Sequence, residues 1–423
     1  MLSQLMPPIR PITFMRTLSA IMSFHFEEHC LAKKIRVGVL FGGRSGEHDV
    51  SLLSAASVIN AVDKKKFEVV PIGITKEGKW LTASHAESLL NGKKAEQQLR
   101  AGDPEATPGA AVLAKGEAVL VPPVPQSDRS AIVPFETDAA GHSASSIDVD
   151  VIFPVLHGTF GEDGTIQGLF ELANIPYVGA GVLGSAAGMD KDIMKALFKN
   201  AGLPIVKHMT VLRSQWQREP KKVKKLVESK LKYPVFVKPA NLGSSVGISK
   251  AHDSKELGPA LDEAAKFDRK LVIEQGVGGK KKKAREIECS VLGNDEPKAS
   301  VPGEIVPIKE FYDYAAKYLD EGSALEIPAK LPKSTQKQVQ ELAIRAFQAV
   351  DGSGLGRVDF LIDPKSNKLY VNEINTMPGF TSISMYPKLW EASGLKYTDL
   401  ITRLIELALE RHADKQKNQY TKD

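Results

Sequence analysis

Cysteine is almost missing from this chain: 423 residues carry two, Cys30 and Cys289. Two thiols cannot build a disulfide framework, and such sparse use reads as a reducing compartment. Long apolar runs are missing too. No stretch approaches the roughly 18 consecutive apolar residues of a spanning helix, so a soluble, cytoplasmic protein without a membrane partner is expected. Nor is there an excess of one charge. Lys and Arg number 56 against 51 Asp and Glu, a net +5, whereas a dedicated nucleic-acid binder concentrates far more positive charge on one face. What is present is ample core material, with 42% hydrophobic residues. At roughly 150 residues per domain, the length suggests two to four domains.

Met1 to Ala32 shows no clear period. Arg10 and Arg16 interrupt its best apolar window, and His25, Glu27, Glu28 and His29 follow it, which does not suit a signal peptide. Residues 1–33 are expected to be a disordered extension, or an upstream start ahead of Met15 or Met22.

From Lys34 the texture changes. Ile35 to Phe41 is a β-rich apolar run ending in Gly42-Gly43, followed by a helical pattern over Val50 to Val62 and a strand over Phe67 to Ile74. This order indicates a parallel sheet with helices packed on it, so the fold class is α/β, becoming α+β further on. The first domain is drawn at 34–183, with a surface insertion and one hairpin at about 92–147, where Ala, Gly, Pro and Ser dominate. Strands are expected over Asp150 to Leu156 and at Tyr177 to Gly179. A second unit, 184–276, has helices over Asp190 to Asn200 and Asp253 to Phe267. Its strands are Tyr233 to Lys238, Gly247 to Ala251 and Leu271 to Glu274. A third, 277–423, holds the strand Glu286 to Leu292 and a helix over Ser334 to Val350. Lys280 to Lys283 reads as an exposed loop. As a nucleic-acid patch it lacks an aromatic stacking platform.

The most informative segment runs from Gly356 to Asn375. Two alternating strands flank turn residues Pro364 to Asn367. If Asp363 pairs with Leu369, Asp359 stands opposite Glu373 and Arg357 opposite Asn375, all on one face. Opposed carboxylates repel unless something positive lies between them, and a hard cation such as Mg²⁺ prefers such oxygen donors. An exposed edge hairpin is the plainer reading. Lys238 to Gly247 is a glycine-serine loop between two strands. Its backbone N–H groups and serines suit phosphate oxygens, with Lys238 as a point charge at the strand end. Gly73 to Lys79 fits the first seven positions of a Walker A pattern, but Trp80 stands where Ser or Thr must reach the metal. It is rejected.

Gly42 to His48 and His157 to Gly164 both follow apolar strands, at the carboxyl end of a sheet where α/β proteins bind ligands. Glu47 could hold an ammonium group. His157 is either a ligand contact or a core histidine with its hydrogen bonds satisfied. Glu162 and Asp163 could cap a helix starting near Thr165.

Together these segments resemble the D-alanine–D-alanine ligases of the ATP-grasp superfamily, over Lys34 to about Arg411. The resemblance rests on Leu40 to His48, His157 to Gly164, Lys238 to Gly247, Phe311 to Tyr318 and Asn372 to Ser384, five motifs in the family's order. It implies an N-terminal parallel-sheet preATP-grasp domain followed by a two-part ATP-grasp fold. It also implies a reaction. ATP phosphorylates the carboxylate of one D-alanine, and the amine of a second attacks the acyl phosphate, giving D-alanyl-D-alanine for peptidoglycan synthesis.

By position in the family, Glu47 holds the first ammonium, linked through Ser244 to Tyr318, with His157 beside the substrate. Arg357 and the Gly379 N–H serve the oxyanion of the tetrahedral intermediate. Lys317 and Ser384 hold the second carboxylate. Lys191, Lys238, Ser244 and Ser245 meet ATP phosphates, Glu274 and Gln275 lie in the adenine hinge, and Glu286 takes the ribose. Asp359, Glu373 and Asn375 hold two Mg²⁺ (or Mn²⁺) ions. The family also implies a homodimer. Ile383, where one branch carries histidine, has no assigned role. The alternatives are a ligase joining D-alanine to D-lactate or D-serine, against which Lys317-Tyr318 argues, and an inactive nucleotide-binding relative.

Overall fold

The computed structural model describes residues 33–82, 117–125, 130–134, 146–278, 283–307, 323–381 and 383–422. The N-terminal extension, most of the 92–147 segment, Lys280 to Lys282 and the loop with Lys317 and Tyr318 lie outside them.

The first sheet is built from β1 (Ile35–Gly42), β2 (Phe67–Ile74), β3 (Trp80–Thr82), β4 (Glu117–Leu120), β5 (Ser130–Pro134), β6 (Ile147–Val149) and β7 (Val151–Pro154), in the order β6-β5-β4-β3-β2-β1-β7. Strand β1 runs parallel to both β2 and β7, as a strand buried on both faces commonly does. From β2 outward every pairing is antiparallel. The sheet is therefore mixed, and β4 and β5 extend it from within the segment expected to be a surface insertion. Val119 and Ile132 are buried there. Single valines and isoleucines among small residues suffice for these short strands but leave no periodic signal. Tyr177 makes only a one-residue bridge to Ile152 in place of the expected strand.

Helix α1 (His48–Ala61) packs on β1, followed by α2 (Thr165–Leu172), α3 (Val182–Met189) and α4 (Lys191–Asn200). Asp190 caps α4 by accepting hydrogen bonds from Asp192 N and Ile193 N, both at 3.1 Å. The second sheet is antiparallel, in the order β10-β9-β11-β8, from β8 (His208–Leu212), β9 (Val235–Pro239), β10 (Ser249–Ala251) and β11 (Lys270–Gln275). Helices α5 (Arg213–Arg218), α6 (Pro220–Lys230) and α7 (Ser254–Phe267) accompany it, with Asp253 capping α7 as its position before the apolar period suggests.

The third sheet holds β12 (Arg285–Gly293), β13 (Lys298–Ala299), β14 (Gly303–Pro307), β15 (Ser323–Glu326), β16 (Gly354–Ile362) and β17 (Leu369–Asn375), in the order β15-β14-β12-β16-β17 with β13 beside β12. Helix α8 (Lys333–Ala349) lays Val339, Leu342, Ala343, Ala346 and Phe347 against it. Burial of each large side chain contributes about 1.5–3 kcal/mol. After α9 (Met385–Ala392), helix α10 (Tyr397–Lys415) sends Leu400, Ile401, Leu404 and Ile405 into the same core as Val37, Val39 and Phe41 of β1. Residues Lys34–Asp423 make one compact unit. No helix among the described residues is long and apolar enough to cross a membrane.

The β16–β17 register has one surprise. Asp359 faces Glu373 and Arg357 faces Asn375, but Ile362, not Asp363, faces Leu369. Asn372 is the extra residue of a β-bulge beside Asp359 and Phe360. Asp363 is drawn into the turn instead, where its carboxylate accepts hydrogen bonds from Lys365 N (2.8 Å) and Ser366 N (3.2 Å).

Candidate active site

The carboxyl end of β1 sets the first wall. Gly42 and Gly43 have φ of 87° and 98°, and a Cβ on Gly42 would collide with the Ile74 carbonyl. Only glycine turns the chain here. The Ser51 hydroxyl accepts from Gly42 N at 2.8 Å and donates to Val155 O. Ser45 donates to His157 O at 2.6 Å and accepts from Glu47 N at 3.1 Å. These serines fix the turn, so that Glu47 lies buried at 7% exposure.

The glycine-serine loop closes over that carboxylate. Ser244 and Ser245 both take left-handed backbone conformations, φ 49° and 60°, and Ser244 donates its hydroxyl to Glu47 Oε1. A Cβ on Gly243 would stand 2.9 Å from Glu47 Oε2, and one on Gly158 would overlap it. Glycine at both places makes room for the carboxylate. Nearby, Glu162 accepts from Gly158 N at 2.8 Å and lines the same cleft. Burial, then the Glu47 charge, push the Glu162 carboxyl up to about 8.

A cationic wall faces this one. Helix α4 buries Lys191, Met194, Lys195 and Phe198 along one face. Lys191 donates to Leu242 O at 2.8 Å, and burial draws its pKa below the usual lysine range against the pull of Glu373. Glu274 bridges two lysines, with Lys195 Nζ 2.9 Å from Oε1 and Lys238 Nζ 2.9 Å from Oε2. Burial disfavours the Glu274 charge, but the two ammonium groups outweigh it and hold its pKa at about 2. Lys238 is likewise raised, because Glu274 and Glu373 overcome its desolvation.

Glu274 and Gln275, expected in the adenine hinge, stand at the end of β11. The carboxylate of the first is committed to lysines, and Gln275 Oε1 accepts from Lys232 N at 3.0 Å. Glu286 lies half-buried on β12, within electrostatic reach of Lys238.

The floor is the third sheet. Glu288, Asp359 and Glu373 stand side by side on β12, β16 and β17, and Ser290, Arg357 and Asn375 form the next row. Directly paired residues project to the same face, so three carboxylates share one row. Arg357 offsets two of them, donating to Asp359 through Nε (2.7 Å) and Nη2 (2.8 Å), with Nε also 3.0 Å from Glu288. Among the described residues no three His, Cys, Asp or Glu side chains converge as a metal cluster. Asp359, Glu373 and Asn375 fit a hard cation by donor type, although both Asp359 oxygens are engaged by Arg357.

His157, read from sequence as either a ligand contact or a core histidine, lies buried with both ring nitrogens hydrogen-bonded. Its Nδ1 lies 3.1 Å from Met377 O and its Nε2 3.0 Å from Ser54 Oγ. A carbonyl can only accept, so Nδ1 carries the proton and Nε2 accepts from Ser54. Ser54 Oγ in turn accepts from Phe380 N at 3.3 Å. Burial lowers the His157 pKa and keeps the ring neutral. The ring thereby ties the segment around Gly379, which lines the cleft, to α1. Ser384 also lines the cleft, its Oγ accepting from Thr381 N at 3.1 Å.

Comparison with known proteins agrees with this geometry. Residues 36–180 match the family model described as D-ala D-ala ligase N-terminus, and residues 197–406 the one described as D-ala D-ala ligase C-terminus. A D-alanine–D-alanine ligase from Heliobacterium modesticaldum is 52% identical over 387 residues, covering 91% of this chain and 97% of the relative. The chain belongs to the D-alanine–D-alanine ligase family. Within that family, the Bacillus cytotoxicus ligase is 50% identical, covering 92% of this chain and 99% of its own. Among solved structures, the Coxiella burnetii D-alanine–D-alanine ligase superposes with a TM-score of 0.72 at 36% identity, covering 91% and 97%. VanG D-Ala:D-Ser ligase from Enterococcus faecalis gives 0.74 at 35%, covering 89% and 100%. Solved members of the ligase family thus share this chain's mixed α/β architecture, the ATP-grasp fold.

One cleft of this family member is lined by Glu47, Lys191, Ser244, Arg357, Glu373, Asn375, Gly379 and Ser384. Lys317 and Tyr318 lie outside the described residues. Glu288, Lys195 and the hydroxyls of Ser45, Ser51 and Ser54 shape this region without standing among the residues expected from sequence. Glu288 had a signal: Glu286, Glu288 and Ser290 alternate with Ile287 and Cys289, so one face of that strand is polar. Lys195 had none, since a buried lysine on a helix reads like any surface lysine.

Proposed function

We propose that the chain uses ATP to join two D-alanine molecules through a D-alanyl phosphate, supplying D-alanyl-D-alanine for cell-wall synthesis. One observation carries the reading. A carboxylate suited to an ammonium group, Glu47, and a lysine suited to phosphate, Lys191, line the same cleft. An amino acid and a nucleotide can meet there.

In this reading Glu47 holds the first ammonium, with Ser244 as its hydrogen-bond partner and link to Tyr318. Lys191, Lys238, Ser244 and Ser245 receive the phosphates, Glu286 receives the ribose, and the backbone about Glu274 and Gln275 borders the base. Arg357 and the Gly379 N–H stabilise the oxyanion formed when the second amine attacks. His157 acts through the segment that carries Gly379. Lys317 and Ser384 hold the second carboxylate. Asp359, Glu373 and Asn375 would hold two Mg²⁺ ions, which neutralise charge on the phosphate oxygens. A homodimer and a cytoplasmic location belong to the same proposal. Light scattering of the purified chain tests the first.

The activity is tested by phosphate release from ATP and Mg²⁺, with D-alanine alone and then with D-lactate or D-serine added, products being identified by mass. Release with D-alanine alone and a D-alanyl-D-alanine product are expected. A depsipeptide or D-alanyl-D-serine as the main product would overturn the choice of second substrate. ATP binding without turnover would leave only a nucleotide-binding relative.

A further inference from the structure

Lys195 has no role in the reading above, yet it is fully buried, at 0% exposure. A buried lysine is costly unless its charge is paired. It is paired twice over: its ammonium stands 2.9 Å from Glu274 Oε1 and donates to Asn372 O at 3.1 Å. Asn372 is the bulge residue next to Glu373. The other oxygen of Glu274 lies 2.9 Å from Lys238 Nζ. Helix α4 thus touches both the counter-ion of a phosphate lysine and the strand carrying a candidate metal ligand.

The charge balance of this trio decides what Lys238 can offer. Two ammonium groups and one carboxylate leave a single positive charge in excess. Without Lys195, Glu274 and Lys238 would neutralise each other, and an incoming polyphosphate would meet a neutral pair. In a low-dielectric site the loss of one unit charge a few ångströms from a phosphate is large.

We propose that Lys195 is a positioning residue for the nucleotide: it balances Glu274 so that the trio presents one net positive charge at Lys238 to the phosphates, and it steadies the Glu373 strand through the Asn372 carbonyl. The inference rests on the reading of Lys238 as a phosphate contact.

The test is calorimetric titration of the full chain with a non-hydrolysable ATP analogue and Mg²⁺, and separately with adenosine, which carries no phosphate. Lys195→Met should weaken the analogue about tenfold or more and leave adenosine within about twofold. Adding Glu274→Gln to Lys195→Met restores the single excess charge and should recover most of the loss. Glu274→Gln alone should bind the analogue at least as tightly as the unaltered chain. Equal weakening of analogue and adenosine by Lys195→Met, or no recovery in the double variant, would show a merely structural lysine and overturn the proposal. Should Lys195→Met fail to fold, the double variant, which leaves no uncompensated carboxylate, is compared with Glu274→Gln. Analogue binding within about twofold in these two variants is expected, because no carboxylate is left for Lys195 to balance, and a larger loss in the double variant would show that Lys195 acts otherwise than through Glu274 and overturn the proposal. Lys238→Met separates the two readings. If it leaves analogue binding unchanged, the phosphate role of Lys238 fails and this inference with it. If it weakens binding while Lys195→Met does not, only the role of Lys195 is lost.

Discussion

Arg357 grips both carboxylate oxygens of Asp359, two residues along the same strand, at 2.7 and 2.8 Å. The same guanidinium stands 3.0 Å from Glu288, so one cation offsets two acids of the three-carboxylate row. Removing it takes the nearest cation from two carboxylates that are partly shielded from water. Arg357→Met should lower stability by about 3 kcal/mol in urea unfolding and cut turnover by about 100-fold or more. A variant with unchanged stability would show that the acid row is balanced by something else.

Gly158 makes room for Glu47. An alanine there places a methyl group on the carboxylate and asks for φ 76°, which L residues seldom adopt. Gly158→Ala should raise the KM for D-alanine by about tenfold, as expected for a displacement worth about 1.4 kcal/mol, with the KM for ATP nearly unchanged. Initial-rate kinetics varying each substrate distinguishes the two.

Glu162 should leave a mark on the pH dependence of stability. Its carboxyl titrates near 8 in the folded chain against 4.5 as the ordinary value. The folded state therefore holds a proton that the unfolded state releases. Stability from this group is fully present below about pH 4.5 and is lost as pH rises through about 8. Glu162→Gln, which keeps the shape without the charge, should flatten that decline and stabilise the chain by on the order of 1–2 kcal/mol at pH 9. Parallel slopes for the two proteins over pH 5–9 would contradict it.

His157 carries the opposite sign. Burial lowers its pKa below 6.5, so the neutral ring is favoured by folding. Its contribution is intact above pH 6.5 and falls away as the pH drops toward the folded value. His157→Phe leaves the Met377 carbonyl and the Ser54 hydroxyl without their partner. It should cost about 1–3 kcal/mol and lower kcat more than either KM, because the Gly379 segment is released while the cleft remains. A change confined to KM for D-alanine would instead mean that the ring meets substrate.

Tyr318→Phe tests the choice of second substrate. The preference for D-alanine over D-lactate should fall, as measured by competition with mass detection of products. An unchanged ratio would remove Tyr318 from that role.

Much of this site could be read from sequence because strands alternate. The pairs Asp359–Glu373 and Arg357–Asn375, expected from a pairing of Asp363 with Leu369, both appear in the register, although that premise is one residue off and the bulge at Asn372 makes up the difference. Helix α4 was legible through Asp190 and its period. Other features were hidden for identifiable reasons. The bulge at Asn372 leaves no mark in the alternation. The antiparallel half of the first sheet rests on isolated residues such as Val119 and Ile132. The orientation of Glu274 depends on Lys195, which arrives from a different element. Long-range ion pairs of that kind have no periodicity to detect.

The bulge has a consequence for how this hairpin tolerates change. A one-residue slip in an uninterrupted ladder turns every side chain to the opposite face. Here the extra residue sits between the exposed turn at Pro364 to Lys368 and the pairs that bear the chemistry. Turn and working end keep separate registers. Length differences at the tip, whether from natural drift or from a grafted tag near Ser366, can be absorbed before they reach Asp359, so the tip is a natural port for a reporter.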